Sequence, residues 1–487
     1  MKSFLFFSLF YFVFCLTAYP QKTVNDLSAE MKRIAGERNM KSATIGMSVY
    51  ALKSDKKLFE YNANQSMNVA SVMKLVTTSA ALQLLGSSFR FETRLEHDGE
   101  IVNGVLKGNL YIKGGGDPTL GKDNMDKLMK EWVAALQKQG IKQITGSIIG
   151  DASIFEEHLA PDNWAWSDIG NYFGAGACGL SMNDNFFNVY FNSGKNEGDA
   201  TTFLRYEPTI DNLEFVNEVK TGAQGSVDEA YIYASPYSYA PRYMKGTIPP
   251  NRSNYIVKAA IPDPPLFCAK MLDKYLKMSG IKPELAPTTD RLLRLKKAWK
   301  IGTRKVLHKE YSATLKEIVL QTNTKSVNIY AESMLKMIGL KKKNKGSTEA
   351  GREAILEFWE SKKIDMDGFF MEDGSGLSHY NAITPNQIVQ ILKETHHSPI
   401  FKDYYDSFGI AGKTGTARFL LVGTSAEGNM RAKSGSLTRV RSYAGYVTAK
   451  NGELCAFVAV LNNFGGESRD AKKQLEKILG LLAEFSF

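Results

Sequence analysis

Ser71 and Lys74 are spaced so that they could act as a nucleophile and its base. They lie in residues 69–86, whose apolar side chains recur with helical spacing and which end at Gly86, a residue suited to a helix C-terminal cap. A separation of three residues puts both side chains on one face of a helix. A serine hydroxyl needs a neighbour that takes its proton. A lysine can be that neighbour if burial or a second cation lowers its pKa by roughly 2 to 3 units.

Ser-x-x-Lys alone is a weak pattern, because it is common on solvated helix faces. It also occurs in this chain at Ser54, Ser279 and Ser333. The setting favours Ser71, since Lys74 is the one charged residue among residues 69–86. The sequence therefore predicts Ser71 as the nucleophile and Lys74 as the group that activates it.

Enzymes built on Ser-x-x-Lys combine it with a Ser-x-Asn motif and a Lys-Thr/Ser-Gly motif. Several segments match each of the two. Ser-x-Asn begins at Ser66, Ser181 and Ser326, and Lys-Thr/Ser-Gly begins at Lys220, Lys413 and Lys433. A choice among them has to rest on the secondary structure that surrounds each segment.

Lys433 is favoured for the third motif because residues 431–437 read as a strand that begins a sheet, with a tight turn at residues 451–452 further on. Lys413 is expected to be a loop residue and Lys220 a turn residue. Ser326 and Asn328 are favoured for the second motif because they are expected to open a helix. Ser181 is expected to belong to a structural turn.

Length and patterning suggest a chain of two or three domains. The chain has 487 residues, and residues 1–20 resemble a secretory signal peptide, with Lys2 before a short apolar run. Residues 21–88 and 301–487 are predicted to form one α+β domain, an antiparallel sheet flanked by helices. Residues 89–300 are predicted to be a large inserted α+β region, with a nested subdomain near residues 190–255. The exported chain is expected to act in the periplasm.

Composition argues against several classes of function. Cys178, Cys268 and Cys455 form neither a zinc pattern nor a disulfide framework, and the six histidines do not cluster, so no metal or cofactor is expected. The formal charge of +10 could suggest nucleic acid, but export argues against that partner. Peripheral membrane or cell-wall association is the most that we expect, and the oligomeric state is left open.

The three motifs together make the chain resemble the class C low-molecular-mass penicillin-binding proteins, which are D-alanyl-D-alanine carboxypeptidase/endopeptidases of serine peptidase family S13. The similarity covers nearly the whole chain after the signal peptide. It rests on the Ser71 segment and on residues 114–118, 180–185, 326–332, 373–378 and 431–437. It implies a penicillin-recognising, β-lactamase/transpeptidase-like fold with a large insertion after the first motif. Two departures, Val327 and Ser434, keep the functional groups that the motifs require.

The resemblance also implies a role for each site residue. Ser71 would attack the carbonyl between two D-alanines of a peptidoglycan stem peptide, and Lys74, its pKa lowered by nearby Lys433, would accept the Ser71 proton. Ser326 would relay that proton to the leaving amine. Asn328 would hold a substrate amide and orient Lys74.

The third motif would bind the substrate. Lys433 and Ser434 would bind its terminal carboxylate, with Gly435 beside them. The backbone N–H groups of Ser71 and Ser436 would form the oxyanion hole, and such donors contribute on the order of 3 kcal/mol each. β-Lactams would acylate the same serine.

Two alternatives remain open at this point. A β-lactamase would share the acylation step, but rapid deacylation usually needs an added carboxylate base, and no convincing one is evident. A non-catalytic cell-wall-binding scaffold would not need an intact set of motifs. The histidines show no pattern that supports a Ser-His-Asp hydrolase.

Overall fold

The structure is a computed structural model that describes residues 23–485, so the predicted signal peptide lies outside the described residues. The helix expected over residues 69–86 is present as Met73–Leu85. The α-helices are Val24–Gly36, Met73–Leu85, Met125–Lys138, Trp166–Ile169, Pro264–Met278, Asp290–Leu295, Leu315–Lys325, Asn328–Lys343, Thr348–Ser361, Pro385–His396, Phe401–Asp406 and Ser468–Glu484. None of the helices within residues 23–485 combines the length and the apolar character needed to cross a membrane.

A six-stranded antiparallel sheet joins strands from both ends of the chain. Its order is Lys56–Tyr61, Thr44–Ala51, Leu454–Asn462, Val440–Thr448, Arg431–Leu437 and Gly409–Ile410. The strand predicted over residues 431–437 has those bounds, and the tight turn predicted at residues 451–452 lies between two paired strands. Arg431–Leu437 pairs with Gly409–Ile410 through its first two residues only. Its remaining residues form an edge of the sheet, where backbone N–H and C=O groups are free to bind an extended peptide.

Helices cover both faces of this sheet. Along the strand Leu454–Asn462, alternate side chains enter different cores, as the two-residue period of a strand requires. Val458 and Val460 pack in the core that contains the helix Met73–Leu85. Phe457 and Leu461 pack in the core that contains the first and last helices. The helix Met73–Leu85 therefore packs in the core on one face of the sheet.

The central part of the chain forms several smaller sheets around a separate core. A five-stranded sheet has the order Thr288–Thr289, Ile148–Asp151, Leu110–Lys113, Glu92–His97 and Lys305–Tyr311. A four-stranded sheet contains Lys282–Pro283, Gln143–Ile144, Val105–Lys107 and Glu100–Val102. Two three-stranded sheets contain Thr202–Glu207, Phe186–Asn192 and Tyr255–Ala260 in one, and Phe215–Asn217, Arg242–Lys245 and Tyr231–Tyr233 in the other. Lys220–Thr221 pairs with Thr247–Ile248 in a two-stranded sheet.

Two details differ from the expected organisation. Lys305–Tyr311 pairs with Glu92–His97, so the sheet of the central part includes a strand beyond residue 300. Lys220, expected in a turn, lies in a two-residue strand. The division of the chain into domains stays a prediction. The cysteines Cys178, Cys268 and Cys455 are buried and free, as small apolar residues would be.

Candidate active site

The predicted nucleophile lies in a tight turn rather than in a regular helix. Residues Ala70–Val72 form one 3-10 turn that leads into the helix Met73–Leu85. Ala70 has a φ of 47°, a left-handed conformation that a residue with a Cβ seldom adopts. Its N–H donates to Asn68 Oδ1 at 2.8 Å, which helps to hold this turn. The turn leaves Ser71 partly exposed, while Lys74 on the next turn is fully buried.

Lys74 has three oxygen partners. Its Nζ lies 3.0 Å from Ser71 Oγ, 2.6 Å from Asn328 Oδ1 and 2.6 Å from the Ser375 carbonyl oxygen. The amide oxygen and the carbonyl oxygen can only accept, whereas a serine hydroxyl can also donate. A neutral lysine amine has two N–H bonds and one lone pair. Two of its three contacts thus take the N–H bonds, and the lone pair faces the Ser71 hydroxyl.

Burial makes the neutral amine accessible at ordinary pH. It lowers the pKa of Lys74 to about 7, against the opposing effect of the carboxylates of Asp373 and Glu332. The sequence analysis considered burial or a second cation and then assigned the shift to Lys433. Removal from water is instead the main cause. Burial also lowers the pKa of Lys433, and there Lys74 contributes by repulsion, with Arg441.

The second motif lies in a break between two helices. The helix that Ser326 and Asn328 were expected to open begins only at Asn328. The preceding helix, Leu315–Lys325, ends just before Ser326, whose φ is 60°. The break lets two side chains of the motif reach different partners. Ser326 Oγ accepts from Lys433 Nζ at 2.9 Å, and Asn328 contacts Lys74.

Asn328 also ties the two parts of the chain together. Its Nδ2 donates to the Phe173 carbonyl oxygen at 2.7 Å, while its Oδ1 accepts from Lys74. Because the amide nitrogen is occupied by a carbonyl, the amide oxygen is oriented towards the lysine. Phe173 was not identified from the sequence. Its contact with Asn328 joins residues 155 positions apart, and no local pattern indicates such a contact.

The third motif lies where the edge strand passes the Ser71 turn. Lys433 is buried and its Nζ donates to Ser326 Oγ and to the Ser434 carbonyl oxygen at 2.6 Å. Any side chain at Gly435 would collide with the Val69 carbonyl, so glycine permits the close approach of strand and turn. Ser436 is exposed at the mouth of the site.

The other segments that match the second and third motifs make structural contacts outside this cluster. Lys413 is in a turn, and its half-exposed side chain forms an ion pair with Glu427 at 3.1 Å. Ser181 Oγ is buried and accepts from Asn185 Nδ2 at 3.2 Å, as a structural turn would require. Ser66 bonds the Gly368 carbonyl. Ser71, Lys74, Ser326, Asn328 and Lys433 are thus the motif residues that the fold brings together.

A buried turn under Lys74 was quoted in the sequence analysis without a role. Asp373 accepts the N–H groups of Gly376 and Ser378, each at 2.6 Å, and the Trp164 indole N–H at 2.7 Å. This turn presents the Ser375 carbonyl to Lys74. The Asp-Gly-Ser-Gly sequence signals a tight turn, but nothing local shows that it lies beneath a lysine.

Glu332 supports the same turn from the helix Asn328–Lys343. Its carboxylate accepts the N–H of Ser375 at 2.8 Å and that of Gly374 at 3.2 Å. Burial and the neighbouring Asp373 raise the pKa of Glu332 to about 7. The helical spacing from Asn328 to Glu332 places both residues on one face, which was the available signal.

A cleft of about 850 Å³ opens above these residues. One wall comes from the motif segments and the other from the central part of the chain. The lining includes Ser71, Ser326, Asn328, Thr416 and Ser436 on the first wall, and Lys122, Asp168, Tyr172, Phe173, Phe186, Tyr231 and Lys258 on the second. Within residues 23–485, no three His, Cys, Asp or Glu side chains are grouped so that they could hold a metal ion.

The chain matches one family over almost its whole described length. The model of the D-Ala-D-Ala carboxypeptidase 3 (S13) family matches residues 27–484. D-alanyl-D-alanine carboxypeptidase DacB of Haemophilus influenzae is 25% identical over 462 residues, which are 94% of this chain and 92% of that protein. D-alanyl-D-alanine carboxypeptidase of Actinomadura sp. is 26% identical over 457 residues, 91% of this chain and 82% of that protein.

A solved structure shows the same fold. The crystal structure of penicillin binding protein 4 (dacB) from Haemophilus influenzae has a TM-score of 0.78 and 24% sequence identity, over 93% of this chain and 98% of that chain. The penicillin-recognising α+β fold expected from the sequence is thereby confirmed. The match of the family model over residues 27–484 shows that this chain belongs to the S13 family and is a serine-type D-Ala-D-Ala carboxypeptidase.

Proposed function

We propose that this enzyme is exported and removes terminal D-alanine from peptidoglycan stem peptides through an acyl-Ser71 intermediate. The observation that carries the proposal is the placement of Lys74, whose lone pair is directed at the Ser71 hydroxyl when its two N–H bonds meet Asn328 and Ser375. A base with a pKa of about 7 accepts a proton readily near neutral pH.

In the acylation step, Ser71 Oγ attacks the carbonyl carbon of the penultimate D-alanine as its proton moves to Lys74. The resulting oxyanion would be held by the backbone N–H groups of Ser71 and Ser436. Collapse of this intermediate breaks the C–N bond. The leaving nitrogen takes up one proton and departs as the amine of D-alanine.

Ser326 is suited to deliver that proton. Its oxygen accepts a hydrogen bond from Lys433 Nζ, so its own O–H is available for donation into the cleft. Proton transfer from Lys74 to Ser326 and from Ser326 to the amine would return Lys74 to its neutral form. Water then attacks the acyl carbon as Lys74 takes its proton. When the ester bond to Ser71 breaks, Lys74 returns that proton to Ser71 Oγ.

Lys433 and Ser434 are suited to the terminal carboxylate of the substrate. Burial and repulsion from Lys74 disfavour the charged form of Lys433 in the free enzyme. A carboxylate that arrives beside this side chain would favour its ammonium form, since an opposite charge raises a lysine pKa. The substrate would thereby provide the counter-charge that the free site lacks.

Three further properties belong to the same proposal. Residues 1–20 would direct export to the periplasm, where peptidoglycan is present. Endopeptidase activity would differ only in the leaving group, a D-amino-acid centre of a cross-bridge. β-Lactams would inhibit the enzyme by acylating Ser71, and the relative with the solved structure is named as a penicillin binding protein.

The intact mass of the mature protein after incubation with benzylpenicillin tests the proposal. We expect a stable adduct on the wild type and none on Ser71→Ala. Ser279→Ala is the matched control, because Ser279 also begins a Ser-x-x-Lys segment but caps a helix end outside the cleft. Loss of penicillin without an adduct would favour a β-lactamase. Neither an adduct nor turnover would favour a non-catalytic scaffold.

The natural reactions need their own assays. Release of D-alanine from a stem pentapeptide measures the carboxypeptidase, and cleavage of a cross-linked muropeptide dimer measures the endopeptidase. Both should disappear in Ser71→Ala and persist in Ser279→Ala. The N-terminal residue of the protein recovered from the periplasm would show whether residues 1–20 are removed.

A further inference from the structure

Arg242 is a buried cation in the central part of the chain, outside the three motifs. It begins the strand Arg242–Lys245, the middle strand of a three-stranded sheet in the central part of the chain. Its side chain is 1% exposed and is one of the largest fully buried side chains among residues 23–485. A guanidinium removed from water to this extent needs compensation from its surroundings.

The described part of the chain supplies little of that compensation. Nε and Nη1 of Arg242 have no hydrogen-bond partner among the described residues, and Nη2 makes one long contact of 3.4 Å with the Ser238 carbonyl. Within residues 23–485, no carboxylate lies within 4.0 Å of this guanidinium. By contrast, the nearby Arg291 lies 3.7 Å from Asp263.

The charge cannot be avoided by loss of a proton. Burial lowers the pKa of Arg242 to about 10, and the groups that act on it are the phenols of Tyr239 and Tyr206. A guanidinium with that pKa is still protonated at neutral pH. A buried charge of this kind is stable when an ion of opposite sign accompanies it.

Arg242 borders a small cavity that has room for such an ion. The cavity has a volume of about 20 Å³, enough for one small particle. Its other walls are largely glycine, alanine and proline, and they include no acidic side chain among the described residues. We propose that this cavity binds a small monovalent inorganic anion of chloride size, with Arg242 as its counter-charge.

The anion would stabilise one wall of the catalytic cleft from behind. Ile169, Gly170 and Gly174 line the cavity, whereas Tyr172 and Phe173 of the same segment line the cleft. The Phe173 carbonyl holds the Asn328 amide at 2.7 Å. An ion in the cavity would therefore hold in place the segment that fixes Asn328, without touching substrate.

Thermal unfolding in chloride tests this site. We compare sodium chloride with sodium gluconate at the same ionic strength, because gluconate is too large for the cavity. For the wild type, we expect the Tm in 100 mM chloride to exceed that in gluconate by roughly 2 to 4 °C. Arg242→Met should lose this difference. Arg205→Met should keep it, since Arg205 is half-exposed and paired with Glu207.

Two results would overturn the proposal: no chloride-specific rise in the wild type, or an equal rise in Arg242→Met. If Arg242→Met does not fold, wild-type crystals soaked in bromide decide the matter. An anomalous peak within hydrogen-bonding distance of Arg242 Nε or Nη1 supports the site. A map with no such peak at Arg242 contradicts it.

Discussion

Lys74 and Arg242 are both buried cations, but their surroundings compensate them in different ways. Lys74 has three oxygen partners, and burial lowers its pKa to about 7, so it can shed its charge. Arg242 has one long contact and a pKa that stays near 10. A lysine in such a place becomes a base, whereas an arginine remains charged and needs an anion. The ease with which the side chain loses its proton therefore decides whether burial produces a base or a lasting charge.

The largest effect on acylation should come from replacing Lys74 with an arginine. Lys74→Arg places a permanent cation beside Ser71 and removes the base, because a guanidinium does not lose its proton at neutral pH. We expect the rate of acylation by benzylpenicillin to fall by roughly 10² to 10⁴. Lys413→Arg, at a half-exposed turn, is the matched control. A Lys74→Arg rate within tenfold of the wild type would rule out Lys74 as the base.

A second change alters the compensation of Lys74 rather than Lys74 itself. Asn328→Asp places a carboxylate at the 2.6 Å contact, which favours the ammonium form and should raise the Lys74 pKa by roughly 1 to 3 units. Acylation at pH 7 should fall by about 5-fold or more and recover as the pH rises above 9. A loss that is equal at all pH values would mean that Asn328 acts on the substrate alone.

The two cations should also differ in how they affect stability. Between about pH 7 and 10.5 the unfolded state protonates Lys74 while the folded state does not, so the wild type becomes less stable as the pH falls. Lys74→Met removes this penalty. Its stability relative to the wild type should therefore rise by about 1.4 kcal/mol for each pH unit lowered from 10 to 7.

Arg242→Met is the matched comparison for that series. Since Arg242 stays protonated in both states below about pH 9, its effect on the free energy of unfolding should be flat from pH 7 to 9. Urea titrations of the three proteins at several pH values measure both slopes. A flat series for Lys74→Met, or a sloping one for Arg242→Met, would invalidate the comparison.

The smallest effect on stability and acylation is expected at a lysine whose charge is exposed to solvent. The Lys413 side chain is 57% exposed and its ion pair with Glu427 is at the surface. Lys413→Met should change the free energy of unfolding by less than about 1 kcal/mol and leave acylation within about 2-fold. Kinetics and urea unfolding measure the two quantities. A large loss of acylation would show that Lys413 and not Lys433 belongs to the third motif.

Local pattern was sufficient for the parts of the fold that repeat regularly. The Ser71 helix, the strand carrying Lys433 and the tight turn at residues 451–452 were predicted because alternation, helical spacing and turn residues are properties of short segments. The break at Ser326 was missed, since a left-handed serine between two helices has no glycine or proline to mark it.

The electrostatics of the site were predicted less well than its members. The sequence analysis identified Lys74 and Lys433 as neighbours and named burial as one possible cause of a lowered pKa. It then assigned the shift to repulsion between the lysines, because the extent of burial depends on packing that distant segments provide. Asp373 and Glu332 affect Lys74 from 299 and 258 positions away, and no periodicity relates them to it. The sequence likewise did not indicate that Arg242 lacks a carboxylate partner, because that depends on which distant residues pack around it.

The pH dependence of acylation of the wild type tests the central claim most directly. The rate of adduct formation with benzylpenicillin, followed by intact mass from pH 5 to 10, reports the protonation state of the base in the free enzyme. The account predicts a rate that rises with pH, has its midpoint near 7 and is level above about 8.5. A rate that does not change with pH, or a midpoint near the ordinary lysine pKa of about 10.4, would contradict a buried, neutral Lys74 as the base.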